Sequence, residues 1–336
     1  MKIAIIGCGL IGKKRAAALK ERGQLILAAD IDSTRAESLA REYGAQATTD
    51  WQAAAAAPEA DMIIVATTHD QLAKITLAAV NAGKHVLLEK PGAMNPSELE
   101  PVKAAAKQNN VFVHVGFNHR FHPAMQKARE LIDQGILGPL YYIRGRYGHG
   151  GRVGYETEWR AHPQVSGGGE LLDQGAHLID LSQWYFGEAF TDIHGWCATY
   201  FWDMPVEDNA FLTLRTASGK IAQLQATWTE WKNMFSLEIT GRDAKLHIEG
   251  LGGSYGTERL AYYQMKPEMG PPDTTIFEYP GTDLSWDLEF KRFLAEIEQS
   301  HPSEPGLQST QNVLSAIETI YQQNNVPWLR KQEDSP

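Results

Sequence analysis

The chain has 336 residues, 43% of them hydrophobic, and this length and composition predict two globular domains rather than one. Its 31 Lys and Arg residues face 41 Asp and Glu residues, and the net charge of -10 argues against nucleic acid as a partner. Only Cys8 and Cys197 occur, which cannot build a disulfide framework and suit a reducing compartment. We therefore expect a cytoplasmic protein that acts on a small molecule.

The apolar N-terminal run "IAIIGCGLIG" resembles a signal peptide with Cys8 as a lipidation site. The run before Cys8 is shorter than a signal-peptide core, and no small-residue cleavage site follows. No stretch reaches the roughly 18 apolar residues that span a bilayer. We expect neither a signal peptide nor a membrane partner.

The first segment, "KIAIIGCGLIGKKRAAALK", predicts a strand, a glycine-rich turn and a helix. Gly7, Gly9 and Gly12 have the spacing that permits a tight turn, close approach of a pyrophosphate and helix packing. A second apolar run ends at Asp30, where a carboxylate can accept hydrogen bonds from an adenosine ribose. Its charge would repel a 2′-phosphate, so the pattern predicts NAD rather than NADP. The alternative for Asp30 is a solvated acid at a strand end.

Strand and helix patterns then alternate as far as the apolar run "VFVHVGF". This alternation predicts a parallel, doubly wound Rossmann sheet over residues 1–118, within an α/β fold. The later part of the chain has a different pattern. Runs such as "LYYIRGRYG", "NAFLTLRTASG" and "KIAQLQATWTEW" predict successive strands without helices between them. Two helices, "SWDLEFKRFLAEIEQ" and "STQNVLSAIETIYQQN", are predicted near the C-terminus.

Beginning at "LLEKPGA", residues 87–93, the sequence resembles the glucose-fructose oxidoreductase and inositol 2-dehydrogenase family (Gfo/Idh/MocA), whose members carry Glu-Lys-Pro at this strand end. "GFNHRFHPAMQKARELIDQGILGPLYYI", "EWRAHPQVSGGGELLDQGAHLIDL" and "SLEITGRDAKLHIEG" follow in the family's order. The resemblance implies a C-terminal α+β domain over residues 119–336, with a mainly antiparallel open sheet for substrate binding and subunit contacts. A homo-oligomer, either a dimer or a tetramer, is the expected assembly.

Strand ends and the loops after them supply the predicted NAD contacts. These are Gly7, Gly9, Leu10, Ile11, Gly12, Asp30, Ile31, Thr67, Thr68, Glu89 and Lys90.

The segment "GGGELLDQGAHLIDL", residues 167–181, spaces Asp173 and His177 four positions apart. On a helix this spacing puts both side chains on one face, with Asp180 one turn further. A metal site would need a third ligand in a recognisable His or Cys pattern, which is not present, so no metal is expected. A structural Asp-His pair is the plain alternative. By the resemblance, Lys90, Asp173 and His177 converge beside the nicotinamide.

Oxidation of a secondary alcohol requires a proton acceptor, and histidine, with an ordinary pKa of about 6.5, suits that role. His177 is therefore the predicted general base, and the Lys90 ammonium stabilises negative charge developing on the oxygen. Asp173 is expected to bind a neighbouring hydroxyl of the substrate or to orient the cationic catalytic group. Which of Lys90 and His177 moves the proton stays open, because coupled groups share their titrations.

Aromatic and arginine side chains crowd the segment "RYGHGGRVGYETEWR". Aromatic faces pack on sugar rings and arginine forks match carboxylates or phosphates, so the segment predicts an anionic or nucleotide-linked sugar. A solvated loop is the alternative. The predicted substrate residues are Asn118, Arg120, Arg146, His149, Arg152, Tyr155, Trp159 and Arg160, and "WTEWKN" adds Trp228, Glu230 and Lys232.

Three functions compete at this point. The leading prediction is an NAD-dependent dehydrogenase or reductase acting on a secondary hydroxyl of a sugar, sugar acid, cyclitol or nucleotide sugar. The second is an NAD-dependent glycoside hydrolase that oxidises its sugar transiently, eliminates the substituent and reduces the sugar again. The third is a dinucleotide-binding sensor without turnover.

Overall fold

The structure is a computed structural model that describes residues 1–327. The chain forms two units. The first comprises Met1–Asn118 with Trp286–Gln311, and the second comprises His119–Ser285 with residues 312–327.

The first unit contains a sheet of six parallel strands in the order β3-β2-β1-β4-β5-β6. The strands are β1 (Lys2–Ile6), β2 (Gln24–Ala29), β3 (Gln46–Thr48), β4 (Met62–Val65), β5 (His85–Glu89) and β6 (Val113–Gly116). The helices are α1 (Leu10–Leu19), α2 (Ser33–Tyr43), α3 (Trp51–Ala55), α4 (His69–Asn81) and α5 (Leu99–Asn109). This is the strand order of dinucleotide-binding folds, with its reversal between β1 and β4. The predicted doubly wound parallel sheet is confirmed.

The second unit contains an eight-stranded sheet in the order β14-β13-β12-β11-β7-β10-β9-β8. Its strands are β7 (Leu140–Gly148), β8 (Phe190–Ala198), β9 (Asn209–Thr216), β10 (Ile221–Thr227), β11 (Met234–Gly241), β12 (Ala244–Glu249), β13 (Glu258–Gln264) and β14 (Asp273–Tyr279). Only β7 and β10 pair in parallel, so the prediction of a mainly antiparallel sheet is confirmed. Among the described residues, the later α-helices are α6 (Pro123–Asp133), α7 (Pro163–Ser166), α8 (Ala176–Phe186), α9 (Ser285–Gln299) and α10 (Leu307–Gln323).

One face of this second sheet is covered by helices, of which α8 packs on β7 and β10. In β7 the side chains alternate accordingly: Ile143 and Tyr147 are buried, whereas Arg144 and Arg146 are exposed. A Cβ placed on Gly145 would come within 3.2 Å of Leu178 on α8, so glycine lets the helix approach the sheet closely.

The sequence-based division places all of residues 119–336 in one C-terminal domain, whereas Trp286–Gln311 groups with the first unit. The physical reason is core packing, because Phe290 and Phe293 of α9 join the same buried cluster as Ile3 and Ile5 of β1. Residues 328–336 of that predicted domain lie outside the described residues.

Within residues 1–327, no helix combines the length and the apolar character that crossing a bilayer requires. The cytoplasmic location stays a prediction from the sequence.

Candidate active site

The glycine-rich loop joins β1 to α1 in the first unit. Gly7 has φ +98°, and a Cβ there would lie 2.3 Å from the Ala66 carbonyl oxygen, so no side chain fits. A Cβ at Gly12 would lie 1.9 Å from the Gly7 carbonyl oxygen. Gly9 differs, because a Cβ there meets no protein atom within 4 Å, and no side chain caps the helix that begins after it. The loop and the helix N-terminus therefore fit a pyrophosphate.

Asp30 lies at the carboxyl end of β2, next to this loop. Its carboxylate accepts hydrogen bonds from the amides of Cys8 at 2.7 Å and Asp32 at 3.0 Å, which fix its orientation. The nearest following cation, Arg35, pairs with Asp32 at 3.3 Å. Ile31 is 90% exposed and Leu10 is 73% exposed, so both apolar side chains are accessible on this loop edge. An acid without a dedicated cation suits a ribose diol better than a 2′-phosphate.

The strand ends of β4 and β5 lie on the same sheet edge as the glycine loop. Thr67 and Thr68 follow β4, and Thr68 Oγ1 donates to Asp70 at 2.6 Å at the start of α4. Lys90 follows β5 directly and is half-buried. Carboxyl ends of parallel strands at a reversal of strand order are where such sheets bind ligands.

Glu89 is buried, with 7% of its surface exposed, and its carboxylate accepts a hydrogen bond from Nε of Arg15 on α1. The same guanidinium pairs with the buried Glu289 of α9. Burial raises the pKa of Glu89, although the Arg15 charge acts in the opposite direction. The structure thus places Glu89 in a buried ion pair that ties the end of β5 to the glycine-loop helix.

In the second unit, the three glycines at 167–169 form the turn that leads into the segment carrying Asp173 and His177. Glu207 accepts hydrogen bonds from the Gly169 amide at 3.1 Å, the Leu171 amide at 3.0 Å and the Tyr321 hydroxyl at 2.7 Å. A Cβ on Gly168 would lie 2.1 Å from the Tyr321 hydroxyl, and one on Gly169 would lie 2.0 Å from the Glu207 carbonyl oxygen. Gly168 and Gly169 are therefore required by close packing around a buried carboxylate.

Asp173 lies in a π-helical turn, Leu171–Gly175, and His177 lies in the first turn of α8, which follows it. The predicted position of both side chains on one face holds for a regular α-helix and does not carry over to a turn with i→i+5 bonds. Asp173 is 5% exposed and accepts a hydrogen bond from Arg160 Nε at 3.0 Å. Such π turns occur frequently at functional sites.

His177 is 3% exposed, and its ring stacks on that of His119 with centroids 3.7 Å apart and planes inclined by 27°. Tyr147 of β7 lies against both rings, at centroid distances of 6.3 Å and 5.2 Å. Burial raises the pKa of Tyr147 well above its ordinary value, so this phenol stays neutral. Sequence reasoning did not single out His119, because its only signal was its place in "GFNHRFHP".

The predicted substrate arginines are all paired with carboxylates of the second unit. Arg146 lies 3.5 Å from Glu230, Arg152 lies 2.6 Å from Glu158, and Arg160 bonds Asp173. Arg120 is buried and forms a bidentate pair with Asp180, at 2.7 Å and 2.6 Å. Asp180 therefore anchors Arg120 instead of extending the Asp173 and His177 face.

Two of the predicted aromatic contacts lie in the core. Tyr155 is 2% exposed and Trp228 is fully buried, and their rings pack edge to face at 5.0 Å. Their faces contact protein rather than solvent, so we do not include them among the proposed substrate contacts. Trp159 is half-buried beneath the Arg160 guanidinium, 4.5 Å from its ring.

His149 and Asn118 complete the predicted substrate set. His149 is half-buried, its Nδ1 accepts from the Gly151 amide at 3.0 Å, and burial lowers its pKa. Asn118 is 5% exposed and belongs to the first unit. Their roles toward substrate stay predictions. In the "WTEWKN" segment, Glu230 is half-buried and Lys232 is exposed.

The surroundings of both cysteines disfavour the reactive thiolate form. Burial raises the pKa of Cys8 to about 12 and also raises that of Cys197. Among residues 1–327, no group of three or more His, Cys, Asp or Glu side chains is arranged to hold a metal ion.

A doubly wound sheet with a glycine-rich loop at its strand-order reversal defines a dinucleotide-binding protein. Residues 1–117 match the model of an oxidoreductase family with an NAD-binding Rossmann fold, and residues 125–247 match the GFO/IDH/MocA C-terminal domain. The chain belongs to the Gfo/Idh/MocA family of oxidoreductases, and its cofactor is NAD.

Levoglucosan dehydrogenase of Pseudarthrobacter phenanthrenivorans is 27% identical over 284 residues, 73% of each chain. D-Glucoside 3-dehydrogenase of Escherichia coli is 33% identical over 193 residues, which are 56% of this chain. That alignment covers 54% of the Escherichia coli protein, so this chain spans about half of that relative's length. A solved structure of levoglucosan dehydrogenase with NADH and levoglucosan covers 96% of this chain and 98% of its own, with a TM-score of 0.86 and 22% identity. At 22% identity, this similarity shows a shared fold and no more.

Proposed function

We propose that this protein is an NAD-dependent dehydrogenase or reductase that acts on a secondary hydroxyl of a neutral sugar or glycoside. The observation that carries the proposal is the position of Lys90, directly after β5 on the sheet edge that also bears the glycine loop and Asp30. An amine on that edge is suited to act on the reacting oxygen of a substrate beside the nicotinamide.

Each of the proposed catalytic residues has a separate task. Lys90 donates a hydrogen bond to the substrate oxygen and stabilises its negative charge. His177 accepts the hydroxyl proton as the general base. Asp173, oriented by Arg160, accepts a hydrogen bond from a neighbouring hydroxyl of the sugar. Bound NAD⁺ supplies the hydride acceptor, and NADH supplies the donor for the reverse reaction.

The preference for a neutral sugar rests on charge. The arginines that indicated an anionic sugar, Arg146, Arg152 and Arg160, are each paired with a carboxylate, which cancels much of their attraction for an anion. Levoglucosan and D-glucosides, which appear in the names of two relatives, are consistent with this reading. A sugar acid or nucleotide sugar becomes the alternative outcome of the substrate test.

Oxidation of neutral glycosides by NAD⁺, with the keto product identified by mass spectrometry, tests the proposal. We expect a keto sugar from the native protein and strongly reduced product from the Lys90→Met variant. Cleavage of the glycosidic bond would favour the NAD-dependent hydrolase, and NAD binding without conversion of any sugar would favour the sensor. The homo-oligomeric assembly and the cytoplasmic location also remain proposals.

A further inference from the structure

The second unit holds two buried histidines face to face. His119, in the short turn before α6, is 7% exposed, and His177, at the start of α8, is 3% exposed. Their ring centroids are 3.7 Å apart. Stacked rings at this distance interact through their charges as well as through packing, because protonation of either ring places a cation against the other.

We propose that His119 controls the protonation of His177: the stacked pair of neutral rings takes up one added proton, the one that His177 accepts from the substrate, and charge repulsion opposes the uptake of a second. This inference rests on the proposed role of His177 as the general base and adds a residue that acts through it. His119 is thus a positioning residue in the electrostatic sense. A coupled pair of this kind titrates in two steps that belong to the pair.

The distance between the two ring centroids sets the strength of the repulsion between two protonated rings. Two unit charges 3.7 Å apart repel enough to move the second protonation by about 1 pKa unit with water-like screening. With the screening typical of protein sites, the same distance gives about 3 pKa units. Because both rings are buried, we expect the separation of the two steps to exceed about 1 pKa unit.

Charged groups surround the pair on both sides. Next to His119 lies His122, at a centroid distance of 5.5 Å, and its ring bonds Glu258 at 2.8 Å and lies 3.9 Å from Asp283. These carboxylates favour a first proton on the pair. They do not remove the mutual repulsion that opposes a second proton.

On the His177 side, Asp173 is paired with Arg160, and Glu170 is buried in the same helical segment. Tyr147 touches both rings, and its neighbour Tyr255 lies 5.4 Å from it. Burial raises the pKa of Tyr147 well above its ordinary value and that of Tyr255 to about 12, so neither phenol adds charge at neutral pH. The consequence for the proposed reaction is that one neutral imidazole persists below the pH at which an isolated histidine becomes cationic.

Histidine titration by NMR, with ¹³C at the ring Cε1, measures the coupling directly in the full-length protein. The missing signals of His119→Phe and His177→Phe assign the two rings. We expect the lower of the two wild-type steps to lie about 1 to 3 pKa units below the single step that remains in each variant. His119→Asn is a second variant in case phenylalanine disturbs the fold, and the exposed His194→Asn is the control that should shift neither step.

Wild-type steps that coincide with the single-variant steps would overturn the proposal. This outcome is independent of turnover, so it is distinguishable from failure of the proposed function. That failure would appear as full activity in His177→Asn, whatever the NMR titration shows.

Discussion

Arg160 donates a hydrogen bond through Nε to Asp173 at 3.0 Å while its guanidinium lies over the ring of Trp159, 4.5 Å from the centroid. One side chain therefore fixes the direction of the carboxylate and has its own charge compensated. This pair explains why an arginine in this segment does not by itself indicate an anionic substrate.

Replacement of Arg160 by Met should lower kcat/KM for the best sugar by about 10-fold or more, because Asp173 loses the group that orients it. The matched control is Arg242→Met, whose partner Asp243 is a different carboxylate and whose side chain is 62% exposed. Steady-state kinetics of both variants check the prediction. Equal activities in the two variants would show that the Arg160 pair has no role in the reaction.

The position of Asp30 predicts tighter binding of NAD(H) than of NADP(H). Asp30→Ala should narrow the difference between the two affinities. The substitution removes the carboxylate that accepts hydrogen bonds from the ribose hydroxyls and repels a 2′-phosphate. Titration calorimetry with both cofactors measures the two affinities. Equal affinities in the native protein would remove Asp30 from its assigned role.

Lys90→Met and His177→Asn should each lower kcat by about 10² to 10⁴ while leaving NAD affinity nearly unchanged, since positioned acid-base groups contribute that much. The controls are Lys107→Met, at an exposed position on α5, and His194→Asn, on β8. Rapid-quench or steady-state assays measure turnover. If both active-site variants turned over like the controls, Asp173 and His177 would return to the interpretation as a structural pair.

The buried Glu207 predicts a pH-dependent stability of the protein. Burial raises its pKa from the ordinary 4.5 to about 7, against the opposing effect of Tyr321 and the backbone amides that donate to it. Glu207 therefore keeps its proton in the folded state at pH values at which it has already lost the proton in the unfolded chain. The stability contributed by this proton is complete below about pH 4.5 and is lost as the pH rises through about 7.

Glu207→Gln has no carboxyl group to ionise and should not show this loss of stability. The melting temperature of the variant minus that of the native protein should therefore increase between about pH 5 and about pH 8. Thermal unfolding followed by circular dichroism at several pH values gives the difference. Glu59→Gln, whose side chain is 77% exposed, is the control and should show a constant difference. A constant difference for Glu207→Gln as well would contradict the account of the buried carboxylate.

The sequence predicts the first unit well because its strands are buried apolar runs and its glycines have a recognisable spacing. Three strands were not predicted. β3 is the three-residue run Gln46–Thr48, and β14 has four consecutive exposed residues, so neither shows an apolar period. In β13 the buried positions include the charged Glu258 and the adjacent Leu260 and Ala261, so the strand lacks a strict apolar alternation. Helical periodicity does not reveal which core a helix joins, so the sequence offers no signal that Trp286–Gln311 groups with the first unit.

For the candidate site, the sequence suggests residue types but does not reveal which side chains contact one another. The spacing of Asp173 and His177 did not reveal the π turn, and no local signal links Arg160 to Asp173 or His119 to His177. Tyr155 looked like a sugar-binding ring because aromatic type carries no information about burial. Partners separated along the chain become visible only once the sheet and helices are assembled.

The most direct test of the central claim compares cofactor reduction with sugar conversion in one reaction. NAD⁺ and a panel of neutral glycosides are incubated with the protein, and the near-ultraviolet absorbance of NADH is followed while keto sugar and released aglycone are quantified. We expect one NADH to form for each keto sugar, with no cleavage of the glycosidic bond. Released aglycone with nearly flat absorbance, together with uptake of solvent deuterium into the sugar, would contradict it and identify a hydrolase that recycles its NAD.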